Sequence, residues 1–183
     1  DRKTDAEGVK STDAEISIED NIGGYGISAK EFINELKGLG DVETINVRIN
    51  SGGGSIVEGN AIFNALKRHS ARIVTHIDSF AASMASVVSQ AGGERRMSAN
   101  GLFMIHNPAT ISMGGSDELR KDADLLDKME TNIRNSYSRS NLSVEELDAA
   151  MEETTYYTAQ EALDAGFIDF IDNANLASNA ISE

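Results

Sequence analysis

Two periodicities alternate along the chain. Ala14-Glu15-Ile16-Ser17-Ile18-Glu19 turns every second residue to one apolar face, the period of a half-buried strand, and the glycine-rich stretch Asn21 to Gly26 interrupts it as a loop. Ser28-Ala29-Lys30-Glu31 has the form of a capping box, and Phe32, Ile33 and Leu36 give one apolar face to a helix that stops at Gly38 or Gly40. Thr44 to Ile49 predicts a second strand, followed directly by Asn50-Ser51-Gly52-Gly53-Gly54. Ile56 to His69 then predicts a helix with Ala61, Ile62, Ala65 and Leu66 inward. Ile73 to Ile77 is a β-branched run of strand length, and Ala85 to Gln90 a helix of small residues. Strand and helix thus alternate three times, which implies βαβ units, mainly parallel strands and right-handed crossovers.

Beyond Gly92-Gly93, Arg95-Arg96-Met97 is a short extended piece and Gly101 to His106 a further buried strand, halted at Asn107-Pro108 by the only proline. Gly114-Gly115 makes a loop. Ser116 is expected to cap the longest helix, from about Asp117 to Ser138, whose apolar positions Leu119, Ala123, Leu126, Met129, Ile133 and Tyr137 keep steps of three and four. At ~1.5 Å per residue it would run ~33 Å, long enough to project and meet a partner. Capping boxes at Ser143 to Glu146 and Thr158 to Glu161 open two short helices, and Gly166 ends the second before Phe167-Ile168-Asp169-Phe170-Ile171. The expected organisation is a polar, mobile arm over 1–13, one domain over 14–172 and a flexible tail over 173–183.

Composition narrows the function classes. The chain has 183 residues, 40% of them hydrophobic and 25% charged, which suits a single globular domain with a substantial core. No apolar run approaches the ~18 to 20 residues of a membrane span, so a soluble protein is expected. The absence of cysteine removes thiolate chemistry, so any covalent catalysis falls to a hydroxyl or an amine. A formal charge of −14 argues against nucleic acid or an anionic membrane as partner. The three histidines show no metal-binding spacing, and no cofactor is expected.

Ser83 lies where a strand hands over to a helix. At such a junction a short side chain stands out from the backbone while the N–H groups of the first helical turn remain unpaired, which offers a hydroxyl beside donors for a developing negative charge. The alternative is that Asp78 to Ser86 holds small residues only so that a helix packs closely. Gly52-Gly53-Gly54 lacks the Lys-Ser/Thr of a P-loop and the spacing of a dinucleotide site; it either brings a backbone N–H close to a substrate or makes a tight turn. His106 closes an apolar strand, whereas His69 ends a helix among polar residues and His76 lies within a strand. The glycine turn, Ser83 and His106 each follow a different strand at its carboxyl end, the edge at which open α/β sheets form their sites.

Four ordered blocks carry a resemblance. Asn50-Ser51-Gly52-Gly53-Gly54, Ala81-Ala82-Ser83-Met84-Ala85, Met104-Ile105-His106-Asn107-Pro108, and Tyr157-Thr158-Ala159-Gln160-Glu161-Ala162 with Gly166-Phe167-Ile168-Asp169 resemble, in order and spacing, the Clp protease proteolytic subunit superfamily. Within it, Gly24 to Phe32 and Asn64 to His69 are more similar to the Clp-like head maturation (prohead) serine proteases of tailed phages and prophages.

The resemblance implies an α/β fold of the Clp protease/crotonase-like kind, a spiral of ββα units with a mainly parallel sheet and a projecting handle helix at about 116–138. It also implies a nucleophile at Ser83, a general base at His106 and an oxyanion hole from the N–H groups of Gly54 and Met84. The family's acidic third position holds Thr154, with Glu153 as the neighbouring alternative. The expected partners are a protein or peptide substrate, phage scaffold and capsid proteins, and further copies of the chain in homo-oligomeric rings, heptameric or stacked. The expected setting is the cytoplasm of a bacterial host or an assembling prohead, and no ATPase partner is expected. Two other readings compete: a structural or assembly homologue with weak or no activity, and a crotonase-like acyl-CoA enzyme.

Overall fold

The computed structural model describes residues 12–172. The expected arm and tail lie outside these residues, except for Thr12 and Asp13 of the arm, of which Asp13 already opens the first strand. Among the described residues there are seven strands and six helices. Four strands, β1 (Asp13–Ile18), β2 (Thr44–Ser51), β3 (Arg72–Ala82) and β4 (Glu94–Ser98), stand side by side in sequence order, with β7 (Phe170–Asp172) beyond β4; every pairing along this path is parallel. The α/β class and the mainly parallel sheet read from the alternation are therefore what the chain forms.

β3 differs from its expected length in a way that matters for function. It runs five residues past Ile77, because its first half pairs with β4 through Val74 to Ile77 while Phe80, Ala81 and Ala82 pair with β5 (Leu102–Ile105). One long strand thus serves two neighbours, and its carboxyl end delivers Ser83 beside the end of β5. β6 (Thr155–Thr158), which no alternation in Thr-Tyr-Tyr-Thr announces, pairs antiparallel with β5 and sets Ile105 opposite Thr155.

Helices α1 (Ala29–Gly38), α2 (Ile56–Arg68) and α3 (Met84–Ser89) follow β1, β2 and β3. The capping boxes at Ser28, Ser143 and Thr158 are all formed, opening α1, α5 (Val144–Glu152) and α6 (Ala159–Asp164). The cap of α4 (Ser116–Ser136) departs from expectation. Gly115 holds the cap position, with no side-chain hydrogen bond, and Ser116 is the first helical residue; the helix ends two residues early, with Tyr137 as its C-cap. Val47, Ile49, Phe32, Ile62, Ile77 and Leu66 form the centre of the core, each within 1% of full burial. Behind β5, Phe103 stacks on Phe167 at 4.9 Å between ring centres, with Tyr137 and Tyr157 edge-on to Phe167. Arg95, 3% exposed, is held by Asp169 and Gln90, and tethers the loop after α6 to β4. No helix among the described residues is long and apolar enough to cross a membrane.

Candidate active site

Ser83 is the single residue between β3 and α3, and it has φ +54° and ψ −124°. It is one of two non-glycine residues with positive φ among those described, the other being Thr154. A side chain held there costs on the order of 1–3 kcal/mol, which the surrounding packing must supply. The strained turn leaves the serine hydroxyl standing clear of the sheet edge.

His106 follows β5 directly, and its Nε2 lies 2.8 Å from Ser83 Oγ. The sequence placed the two 23 residues apart on different strands; pairing of Ala82 with Met104 brings them together. Burial lowers the His106 pKa below its ordinary 6.5, and no carboxylate is near enough to raise it. Burial thus favours the neutral imidazole, the form that accepts the serine proton.

The glycine turn completes the floor. Gly53, at φ +92°, sits so close to the serine turn that a Cβ on it would lie 2.5 Å from the Ala82 carbonyl oxygen and 2.7 Å from the Met84 nitrogen. Gly54, at φ +142°, bridges to Ile22, whose carbonyl would lie 2.2 Å from a Cβ there. Neither position admits a side chain. The N–H of Met84 opens α3 and so has no acceptor within the helix, and the N–H of Gly54 donates to no backbone carbonyl among the described residues. Gly54, Ser83, Met84 and His106 all line one cavity of about 350 Å³.

The far wall of this cavity comes from α4. Leu125, Leu126, Met129 and Ile133 face it together with Val57 and Val87. The apolar stripe expected to meet a partner therefore walls the space beside the nucleophile along part of its length. The stripe was visible in the sequence; its target was not, because the fold-back of α4 depends on the loop 107–115. Leu119 and Leu125 remain partly exposed on the helix, and Ile111 and Met113 stand out from the loop before it.

The third position is arranged differently from a triad. Extending the β5–β6 register by one step sets Thr154 opposite His106. Thr154, however, has φ +58° and lies in the turn between α5 and β6, where its N–H bonds to the Met151 carbonyl at 3.4 Å. Its side chain is exposed and makes no hydrogen bond among the described residues, and the same holds for Glu153, the C-cap of α5. Among the described residues, Ser83 is the sole hydrogen-bond partner of the His106 ring. Nδ1 keeps access to solvent, since among the described residues Asn107 Oδ1 is the sole fully buried side-chain nitrogen or oxygen without a partner. His69 and His76 lie elsewhere: His69 receives the Ala71 N–H, and His76 lies between Asn46 and Asp172. No metal-binding cluster of His, Asp or Glu occurs among the described residues.

A hydroxyl on a strained strand-to-helix turn, a neutral imidazole on that hydroxyl and two free N–H groups on the same cavity make up the working parts of an α/β serine hydrolase. Comparison with known proteins agrees. The Clp protease family profile matches residues 11–174, and the chain belongs to the Clp protease family, whose members are serine endopeptidases. The ATP-dependent Clp protease proteolytic subunit 1 of Leifsonia xyli subsp. xyli is 34% identical over 130 residues, covering 69% of this chain and 66% of that protein. The proteolytic subunit of Ligilactobacillus salivarius is 35% identical over the same length and coverage. That of Streptococcus pneumoniae (strain Hungary19A-6) is 30% identical over 172 residues, 90% of this chain and 83% of that protein. The chain thus spans about two thirds of the length of the first two relatives.

Proposed function

We propose that the chain is a serine endopeptidase in which Ser83 is the nucleophile and His106 its general base. His106 Nε2 takes the hydroxyl proton as Ser83 Oγ attacks a peptide carbonyl, and the N–H groups of Gly54 and Met84 receive the developing oxyanion. His106 then returns the proton to the leaving amine, and water hydrolyses the acyl-enzyme. The observation that carries this reading is the 2.8 Å contact between Ser83 Oγ and His106 Nε2 beside free backbone donors. The apolar wall from Leu126, Met129 and Ile133 suits an apolar substrate side chain next to the bond cut. Hydrolysis of fluorogenic peptides by the purified chain tests this. Ser83→Ala should abolish it, and peptides with Leu or Met before the bond should be cut faster than those with Asp; activity that survives Ser83→Ala would remove Ser83 from the mechanism.

The finer assignment to prohead maturation, with scaffold and capsid precursors as substrates, rests on the resemblance of Gly24 to Phe32 and Asn64 to His69 to phage enzymes. Co-expression with such precursors should give Ser83-dependent cleavage products. Clp-family proteins form rings and act on proteins. Self-association of this chain through α4 is in keeping with the exposed Ile111, Met113 and Leu119, and native mass measurements giving only monomer would contradict it. A structural role without turnover is the second reading, favoured by the empty Nδ1 of His106. Intact fold with no Ser83-dependent hydrolysis of any peptide would establish it over the first.

A further inference from the structure

Two buried hydroxyls adjoin the nucleophile turn. Ser86, in the first turn of α3, is fully buried and donates its Oγ proton to the Ser83 carbonyl oxygen at 2.5 Å. The Tyr137 hydroxyl lies 2.7 Å from Ser86 Oγ. Ser86 has one hydroxyl proton and spends it on the carbonyl, so in this pair Tyr137 donates and Ser86 accepts. Tyr137 is 1% exposed, and burial pushes its pKa up, so the phenol remains a proton donor.

The carbonyl so held has a particular neighbour. Ser83 C=O and Met84 N–H belong to one planar trans peptide and point in opposite directions, so anchoring one aims the other. The Ser86 and Val87 N–H groups also donate to this carbonyl, at 3.1 and 3.3 Å. Hydrogen bonds in a chain polarise one another, and donation to the carbonyl makes the N–H across the same peptide a stronger donor.

We propose that Tyr137 and Ser86 form a buried hydroxyl relay, Tyr137 O–H to Ser86 O–H to Ser83 C=O, that fixes the Ser83–Met84 peptide plane and strengthens the Met84 N–H toward the oxyanion. The proposal rests on the serine peptidase reading. Both are positioning residues, since their hydroxyls act through the peptide rather than on the reacting atoms. The relay also explains how a turn with φ +54° holds its shape, and it ties the end of α4 to the nucleophile.

The test is steady-state kinetics on a fluorogenic peptide, together with the affinity of a peptidyl boronate, whose tetrahedral adduct on Ser83 places an oxygen where the oxyanion forms. Ser86→Ala should lower kcat about tenfold with KM unchanged and weaken boronate binding by a similar factor, the loss expected for one oriented hydrogen bond. Tyr137→Phe should give about threefold in the same sense. Because Tyr137 acts through Ser86, the double variant should be no less active than Ser86→Ala alone. It should also unfold at a higher temperature than Ser86→Ala, in which the phenol is left buried without a partner; the losses in kcat and boronate affinity, which a purely structural pair would not produce, separate the relay from such a pair. Should Ser86→Ala fail to fold, Tyr137→Phe, which removes one oxygen, carries the test. Single variants with wild-type kcat and boronate affinity, losses that fall on KM, or losses that multiply in full in the double variant would overturn the relay alone. A wild type with neither turnover nor a boronate adduct would overturn the peptidase reading and the relay with it.

Discussion

Replacing Thr154 with Asp should raise activity and stability for two separable reasons. A β-branched residue at φ +58° is strained by on the order of 1–2 kcal/mol, and Asp or Asn, which tolerate this region, should recover about half of that. Thr154→Asp and Thr154→Asn should therefore both be stabilised by about 0.5–1 kcal/mol. Only Asp brings a charge, one residue beyond the Ile105–Thr155 pair that ends the ladder beside His106. Hydrogen-bonded to Nδ1, it would hold the imidazolium formed during attack. A hydrogen bond to a charged group contributes about 1.5–3 kcal/mol, so kcat should rise about 10- to 100-fold. The pH profile gives an independent sign. Burial lowers the wild-type His106 pKa, so the acid limb of kcat/KM should lie below pH 6.5, and an adjacent carboxylate should move it upward. Chemical denaturation and pH-dependent peptide hydrolysis of the three proteins check both effects. Equal activities in the Asn and Asp variants, or an acid limb that does not move, would refute the idea that the site lacks a carboxylate at Nδ1.

Three further outcomes follow from other parts of the site. Gly53→Ala should cut kcat/KM by about two orders of magnitude while the protein still folds, because its Cβ presses on Ala82, Ser83 and the Met84 nitrogen; peptide hydrolysis alongside circular dichroism measures both. Asp169→Ala leaves the buried Arg95 with Gln90 as its remaining side-chain partner and should cost about 2–3 kcal/mol in urea denaturation. The lowered pKa of His106 means that the unfolded chain binds a proton first as pH falls, so wild type should lose a little stability from pH 6.5 downward; His106→Gln should lack that loss.

The parts legible in the sequence were those with a local physical signature. Capping boxes at Ser28, Ser143 and Thr158 each satisfy backbone donors within four residues, and all three form. The carboxyl ends that carry Gly54, Ser83 and His106 followed from strand runs and their turns. What the chain conceals is pairing. Nothing local shows that β3 continues to Ala82 and divides between β4 and β5, yet this division is what sets Ser83 against His106. β6 is short and exists because β5 offers it an edge, so Thr-Tyr-Tyr-Thr gave no period to read. The stripe on α4 was plain, but a stripe says only that a helix face is covered. It could not say that the cover is the cavity beside Ser83, nor that Tyr137 at its end meets Ser86.

The central claim is that Ser83 becomes covalently modified because His106 takes its proton. Intact-mass measurement after treatment with a fluorophosphonate tests it directly. The wild type should gain one adduct, mapped by peptide sequencing to Ser83, at a rate that falls by orders of magnitude in His106→Ala; Ser83→Ala should gain none. An adduct of equal yield on Ser83→Ala, or labelling of Ser83 at the same rate without His106, would contradict the account.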